Sequence, residues 1–304
     1  VKKIELASPA LDLEAGLYRL YREFFDKAER KRRWSLQEDI PWKACNPEID
    51  PAVADVVESF LTVELYLPDY VANAMTKWRG SRASTWFYAN WGYEESKHSL
   101  ALGDWLLRSK LRTDEQMADL EGKVFQWQWQ VPHDNPVAML AYAMTQELAT
   151  GLTYRNLQQR VSESRDPALS KLLGFLGVDE QAHHDFFRRA VQLFLQHDRP
   201  GTIHQLHRVL HNFSMPAIHA QVDGQRRIDA IEALHIFDGQ MYVRDVYMPI
   251  LSSLGVSRLE LRKGGSEPTT STGNASYTNN SWLTLGGIRP PHDGRLTRGV
   301  VKGG

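Results

Sequence analysis

Trp91-Gly-Tyr-Glu-Glu-Ser-Lys-His98 holds a Glu-x-x-His pair, Glu95 and His98, and Val178-Asp-Glu-Gln-Ala-His183 repeats it at Glu180 and His183. Outward in steps of three and four, the first pair extends to Tyr88, Trp91 and Leu102, the second to Leu173, Leu176 and Phe187. Such spacing keeps each set on one face of a helix. Two further stripes have the same form: Val57, Phe60, Glu64, Leu67, Val71, and Leu140, Met144, Glu147, Gly151, Tyr154. Every stripe carries a glutamate at its centre, and the order lone Glu, then Glu-x-x-His, occurs twice along the chain. Two helical hairpins of this kind form a pseudo-symmetric four-helix site.

Four carboxylates in apolar stripes conflict with one another. At an effective dielectric near 20, two of them ~5 Å apart repel by roughly 3 kcal/mol. Desolvation adds to this, so without counter-charge they would protonate. Two divalent cations supply the missing charge. Oxygen-rich ligation with one imidazole per metal suits iron or manganese, whereas structural zinc favours cysteine and histidine. The ligand set Glu64, Glu95, His98, Glu147, Glu180 and His183 is that of ferritin-like di-iron and di-manganese bundles, so the match is one of recognition. A single Glu-x-x-His arises by chance in many helices; two copies in register, each preceded by a stripe-centred Glu, carry the reading.

The rest of the chain agrees with an all-α fold. Leu, Ala, Glu, Gln and Arg dominate residues 11–256, and turn chemistry concentrates at Asn46–Pro51, Arg79–Ser81, Pro132–Pro136, Ser164–Pro167 and Asp198–Gly201. These breaks predict helices over 52–78, 82–109, 136–162 and 167–197, with a further helical stretch over 203–254 interrupted near Ser214-Met215-Pro216. Pro68 removes the amide that would bond the carbonyl of Glu64, and so disturbs the helix at a ligand. Nine of the 21 glycines fall in the last 41 residues, too many for a packed core. Residues 1–256 therefore read as one domain and 257–304 as a poorly ordered tail.

Composition narrows the class. With 36 basic and 37 acidic side chains the net charge is -1, which gives no whole-chain attraction to nucleic acid. One cysteine, Cys45, excludes an internal disulfide framework and any Cys-x-x-Cys site. No apolar run is long enough for a membrane span, and the first residues show no signal-peptide core, so a cytoplasmic protein is expected. His204, His207 and His211 share a helix but have no carboxylate or cysteine with them, and read as surface or core histidines.

The segments Glu64–Tyr70, Trp91–His98, Gln146–Thr150 and Asp179–His183 resemble the four metal segments of the soluble acyl-acyl carrier protein desaturases, bacterial members above all. Phe213-Ser-Met-Pro-Ala217, Asp223-Gly224 and Trp34-Ser-Leu-Gln-Glu-Asp-Ile-Pro-Trp42 are similar to flanking stretches of that family. The resemblance implies a ferritin-like bundle with added N- and C-terminal helices, holding two Fe ions per chain. It sets Glu64 and His98 on one iron, Glu147 and His183 on the other, and Glu95 and Glu180 between them. It also implies that Thr150 supplies a hydroxyl beside the oxygen-binding face. Asp179 would orient an iron-bound histidine, and Trp42 would lie against that shell as an electron route. The implied activity is O2-dependent introduction of a cis double bond into an acyl chain on acyl carrier protein, with electrons from ferredoxin, in a homodimer.

Arg30-Lys31-Arg32-Arg33 is the candidate docking patch for the acidic carrier. Lys77 falls where a less polar residue is expected near the substrate channel. Two other readings keep the bundle and change the chemistry: a hydroxylase or N-oxygenase of a small metabolite, or a ferroxidase of iron storage. The second usually has a shorter chain than this one.

Overall fold

Each ligand-bearing helix begins at a strong start signal. Asp50 precedes Pro51, Asn135 precedes Pro136 and Asp166 precedes Pro167; in each case the side chain accepts from backbone amides of the first turn, and proline supplies a fixed φ where no amide is needed. Ser81 caps the fourth such helix through Ser84 N. In a computed structural model the described residues are 10–162, 165–215 and 224–265. They contain helices and no strand, as expected.

The ligand-bearing helices are α2 (Pro51–Glu64), α4 (Arg82–Arg108), α6 (Pro136–Arg160) and α7 (Pro167–His197). Helix α1 (Leu11–Lys31) packs across α4 and α7, so the N-terminal region covers one side of the bundle. Helices α3 (Leu67–Lys77) and α5 (Asp114–Val124) connect the bundle elements. Helix α8 (Arg199–His211) lies on α6 and α7, and α9 (Gly224–Ala233) lies on α2. A short turn α10 (Gly239–Met241) runs through a π-helical segment, Tyr242–Tyr247, into α11 (Met248–Leu254).

The helix expected over 52–78 is two helices. It breaks after Glu64, where Pro68 removes a donor, and Tyr70 Oη bonds the Val63 carbonyl at 2.9 Å across the break. The chain also stays helical past 256. Helix α12 (Arg258–Gly264) buries Leu261 against α8, and Arg199 forks onto Glu260. The loss of helical order expected from 257 therefore does not hold to 264, because Ser257 caps a new helix through Glu260 N. The remainder of the expected tail lies outside the described residues.

Candidate metal centre

The four stripes converge. Glu64 from α2, Glu95 and His98 from α4, Glu147 from α6 and Glu180 and His183 from α7 are all buried. They fall into two groups: Glu64, Glu95, His98 and Glu180, and Glu95, Glu147, Glu180 and His183. Within each group the ligand atoms lie within 4.8 Å of one another. Glu95 and Glu180 belong to both. His98 Nδ1 is 3.1 Å from Glu95 and 3.5 Å from Glu180, and His183 Nδ1 is 2.9 Å from Glu95 and 3.5 Å from Glu147.

Both imidazoles thus point Nδ1 inward. Those two nitrogens, with Glu95 Oε1 and Glu180 Oε2, are buried polar atoms with no hydrogen-bond partner. Such orphans are rare unless something else binds them. Burial drives Glu64 and Glu147 well above the usual carboxylate range, reinforced by Glu95 beside the first and Glu180 beside the second. Burial disfavours charge on His98 and His183, but Glu95 and the surrounding carboxylates outweigh it and raise both. A pair of divalent cations removes the carboxylate repulsion and satisfies the orphaned atoms. The residues present fit two metal ions, and the clusters are consistent with a di-iron site.

The outer nitrogens are held in a crossed arrangement. Asp179 on α7 lies 3.3 Å from Nε2 of His98 on α4, and Glu94 on α4 lies 2.7 Å from Nε2 of His183 on α7. Each of these acids immediately precedes a shared glutamate in the sequence, so the fuller motif is acid-Glu-x-x-His, used twice. Arg32, at the end of α1, reaches both acids through one nitrogen, and Arg33 adds a bond to Glu94. Burial works against charge on Glu94, as on Asp179. Glu94 is nevertheless lowered by His183 and Arg32, and Asp179 by His98 and Arg32. Two guanidiniums balance these two carboxylates, leaving the four inner glutamates to balance two divalent ions.

Terminal glutamates have their own donors. Tyr154 Oη bonds Glu64 at 2.7 Å, and Trp91 Nε1 bonds Glu147 at 3.2 Å. Both residues stand in the apolar stripes of the sequence, where their polar tips give no signal. Gly151 faces Glu180 so closely that a Cβ there would lie 3.1 Å from Glu180 Cβ.

Three expectations need correction. Trp34, not Trp42, lies against the outer shell: its indole nitrogen bonds Asp179 at 2.8 Å and its ring stacks on Phe175. Trp42 instead bonds the Leu36 carbonyl under Arg108. The reason is that α1 ends at Lys31 and directs the next few residues onto α7. The basic patch is also divided. Arg32 and Arg33 turn inward to the acids, while Arg30 and Lys31 are exposed. Lys77 pairs with Asp134 at the surface and does not line the cavity described next.

An apolar cavity adjoins the metal cluster. Phe60, Val63, Ile231 and Phe237 form its walls, and Glu64, Thr150 and Tyr154 border it on the side of the cluster. Thr150 lines this cavity together with Glu64. Among the described residues the histidines of α8 form no metal group; His204 bonds the Gly264 carbonyl and the rings of His207 and His211 stack.

The sequence matches the model of a family described as fatty acid desaturase over residues 44–266. DesA1 of Mycobacterium tuberculosis, which carries the name of an acyl-[acyl-carrier-protein] desaturase, is 25% identical over 211 residues, covering 66% of this chain and 61% of its own. Stearoyl-[acyl-carrier-protein] 9-desaturase 6 of Arabidopsis thaliana is 27% identical over 61% of this chain and 49% of its own. The chain thus spans between half and two thirds of these relatives' length. The crystal structure of DesA2 from Mycobacterium tuberculosis superposes with a TM-score of 0.63 at 16% identity, over 83% of this chain and 99% of that one. This supports the all-α, ferritin-like architecture. No helix among the described residues is long and apolar enough to cross a membrane.

Proposed function

This chain belongs to the fatty acid desaturase family, and on that premise we propose that it introduces a cis double bond into an acyl chain carried on acyl carrier protein. Electrons come from a ferredoxin and dioxygen is the oxidant. Glu64 and His98 would help hold one iron and Glu147 and His183 the other, with Glu95 and Glu180 in both ligand groups. The two irons supply the oxidising power that no side-chain acid or base has toward an unactivated methylene.

The observation that carries the reading is the apolar cavity bordered by Glu64 and Thr150. An iron-storage bundle has no use for a dry apolar pocket against its metal ligands, whereas an acyl substrate needs one to fix which carbons approach them. Thr150 donates or accepts a proton at that edge of the site. Asp179 and Glu94 hold the outer nitrogens of His98 and His183, fixing ring orientation. Exposed Arg30 and Lys31 are the part of the basic run left for the acidic carrier. Residues 10–265 act as one catalytic unit in this reading.

Mass spectrometry of acyl products tests it, after incubation of iron-loaded protein with ferredoxin, its reductase and a panel of acyl carriers. A loss of two mass units on the carrier-bound chain is expected. A gain of sixteen would make the protein a hydroxylase, and no change with any carrier would reject an acyl substrate.

A further inference from the structure

Lys97 on α4 is a buried ammonium with no carboxylate against it. The residue is 6% exposed, and among the described residues it forms no ion pair. Lysine is rarely buried unless an acid meets it, because the charge loses its hydration. Its contacts converge instead on one residue. Nζ bonds the Trp34 carbonyl at 2.5 Å and stands 4.0 Å from the centre of the Trp34 ring. Burial holds the ammonium below the usual lysine range, with Asp179 and Glu94 favouring its charge and Arg33 and Arg32 opposing it.

Trp34 itself is placed to lose an electron. Its indole N–H donates to Asp179 at 2.8 Å, and Asp179 lies 3.3 Å from Nε2 of His98, whose Nδ1 faces the cluster. An indole that gives up an electron becomes a strong acid at that N–H, and a carboxylate on it takes the proton. The path that leads electrons inward to the metal pair is therefore also a path by which an oxidised metal pair reaches an oxidisable ring. The hazard is greatest when no acyl chain fills the cavity.

We propose that Lys97 keeps Trp34 reduced: its fixed positive charge over the indole opposes removal of an electron from the ring. The face of a neutral indole attracts an ammonium. A ring that has lost an electron repels it, and the repulsion is strong where water is excluded. An electron that tunnels inward never rests on the ring, so the charge spares reduction of the irons. Without Lys97, two electrons pass from the indole to the oxidised centre. One proton goes from the indole N–H to Asp179, water adds its oxygen to the ring, and a second proton leaves to solvent. The product is a tryptophan sixteen mass units heavier. Lys97 is thus a positioning residue that acts through Trp34.

This inference rests on the reading of the metal pair as one that dioxygen oxidises, so its test has two arms that fail separately. In one, full-length protein in the ferric state meets photogenerated ruthenium(III) tris-bipyridine. In the other, ferrous-loaded protein meets repeated dioxygen without acyl substrate. Mass spectrometry then reads the gain of sixteen on the peptide that holds Trp34. Lys97→Met should raise that product about 10-fold or more in both arms, and Lys97→Arg should keep it within about 3-fold of wild type. Trp91, bonded to Glu147 on the same helix, should be oxidised equally in all three proteins. Unchanged helicity and iron content show that the fold is kept. If Lys97→Met does not fold, Lys97→Gln takes its place, keeping a donor for the Trp34 carbonyl without the charge. Equal oxidation of Trp34 with and without the charge in the ruthenium arm overturns the proposal. So does a Lys97→Arg protein as sensitive as Lys97→Met, which would make Lys97 a tether for the segment after α1. A Lys97 effect in the ruthenium arm alone supports the proposal and counts against dioxygen oxidation at the metal pair.

Discussion

Alanine in place of glycine within a helix ordinarily stabilises by about 0.4–1 kcal/mol, because the unfolded chain loses freedom. The sign should reverse at Gly151. A Cβ there would sit 3.1 Å from Glu180 Cβ, inside the 3.4–4 Å of ordinary contact, so α6 and α7 must part by a few tenths of an ångström. Overpacking of this kind costs about 1–3 kcal/mol, which leaves Gly151→Ala roughly 1 kcal/mol less stable than wild type. Gly122 on α5 is the control, since nothing lies within 4 Å of its Cβ position. Gly122→Ala should melt about 1–4 °C higher and Gly151→Ala about 2–4 °C lower. The second effect is on metal. Glu180 belongs to both ligand groups, and sites of this kind tolerate only ~0.5 Å of displacement. A tenfold loss of affinity for the ions removes about 1.4 kcal/mol of their stabilisation. The difference in melting temperature between iron-loaded and apo protein should therefore shrink in Gly151→Ala and stay constant in Gly122→Ala. If Gly151→Ala melts higher in both forms with full iron content, the close approach of α6 to Glu180 is refuted.

Arg32→Met leaves Glu94 and Asp179 short of a buried partner and should cost ~3 kcal/mol, a fall of roughly 6–12 °C in apo melting temperature, with little change in KM for the carrier. Arg30→Glu with Lys31→Glu should do the opposite, raising that KM several-fold and weakening its salt dependence at constant melting temperature. Trp34→Phe removes the donor to Asp179 and should slow reduction of the irons by ferredoxin, while Trp42→Phe leaves the rate within twofold; stopped-flow absorbance distinguishes them. A chain ended at Gly265 should keep the wild-type melting temperature and iron content, whereas one ended at Val256 loses Leu261 and the Arg199–Glu260 pair and should melt several degrees lower.

The parts of the fold legible in sequence were those with local causes. Asp50-Pro51, Asn135-Pro136 and Asp166-Pro167 announce helix starts, and Pro68 announces a disturbance beside Glu64, because caps and proline act within a few residues. The four glutamate ligands were legible because a glutamate centred in an apolar stripe contradicts its surroundings, and His98 and His183 because each stands three residues after one of them. Residues whose role depends on another helix were not. Arg32 and Arg33 read as part of a basic run until α1 is laid across α4 and α7, which turns them onto Glu94 and Asp179. Glu94 differs from a solvated acid only through that cover. Trp34 and Trp42 close the same short segment, and periodicity does not decide which of two tryptophans meets Asp179. Tyr154 and Trp91 look like core aromatics because their one polar atom is used only across the bundle.

Anaerobic ferrous titration of the wild type beside Glu95→Ala and Glu180→Ala, read by Mössbauer spectroscopy after exposure to dioxygen, tests the shared-ligand centre most directly. The account predicts about two irons per chain in the wild type with a spin-coupled spectrum, and loss of the coupled signal in both variants. One iron per chain, or a coupled spectrum that survives either substitution, would contradict it.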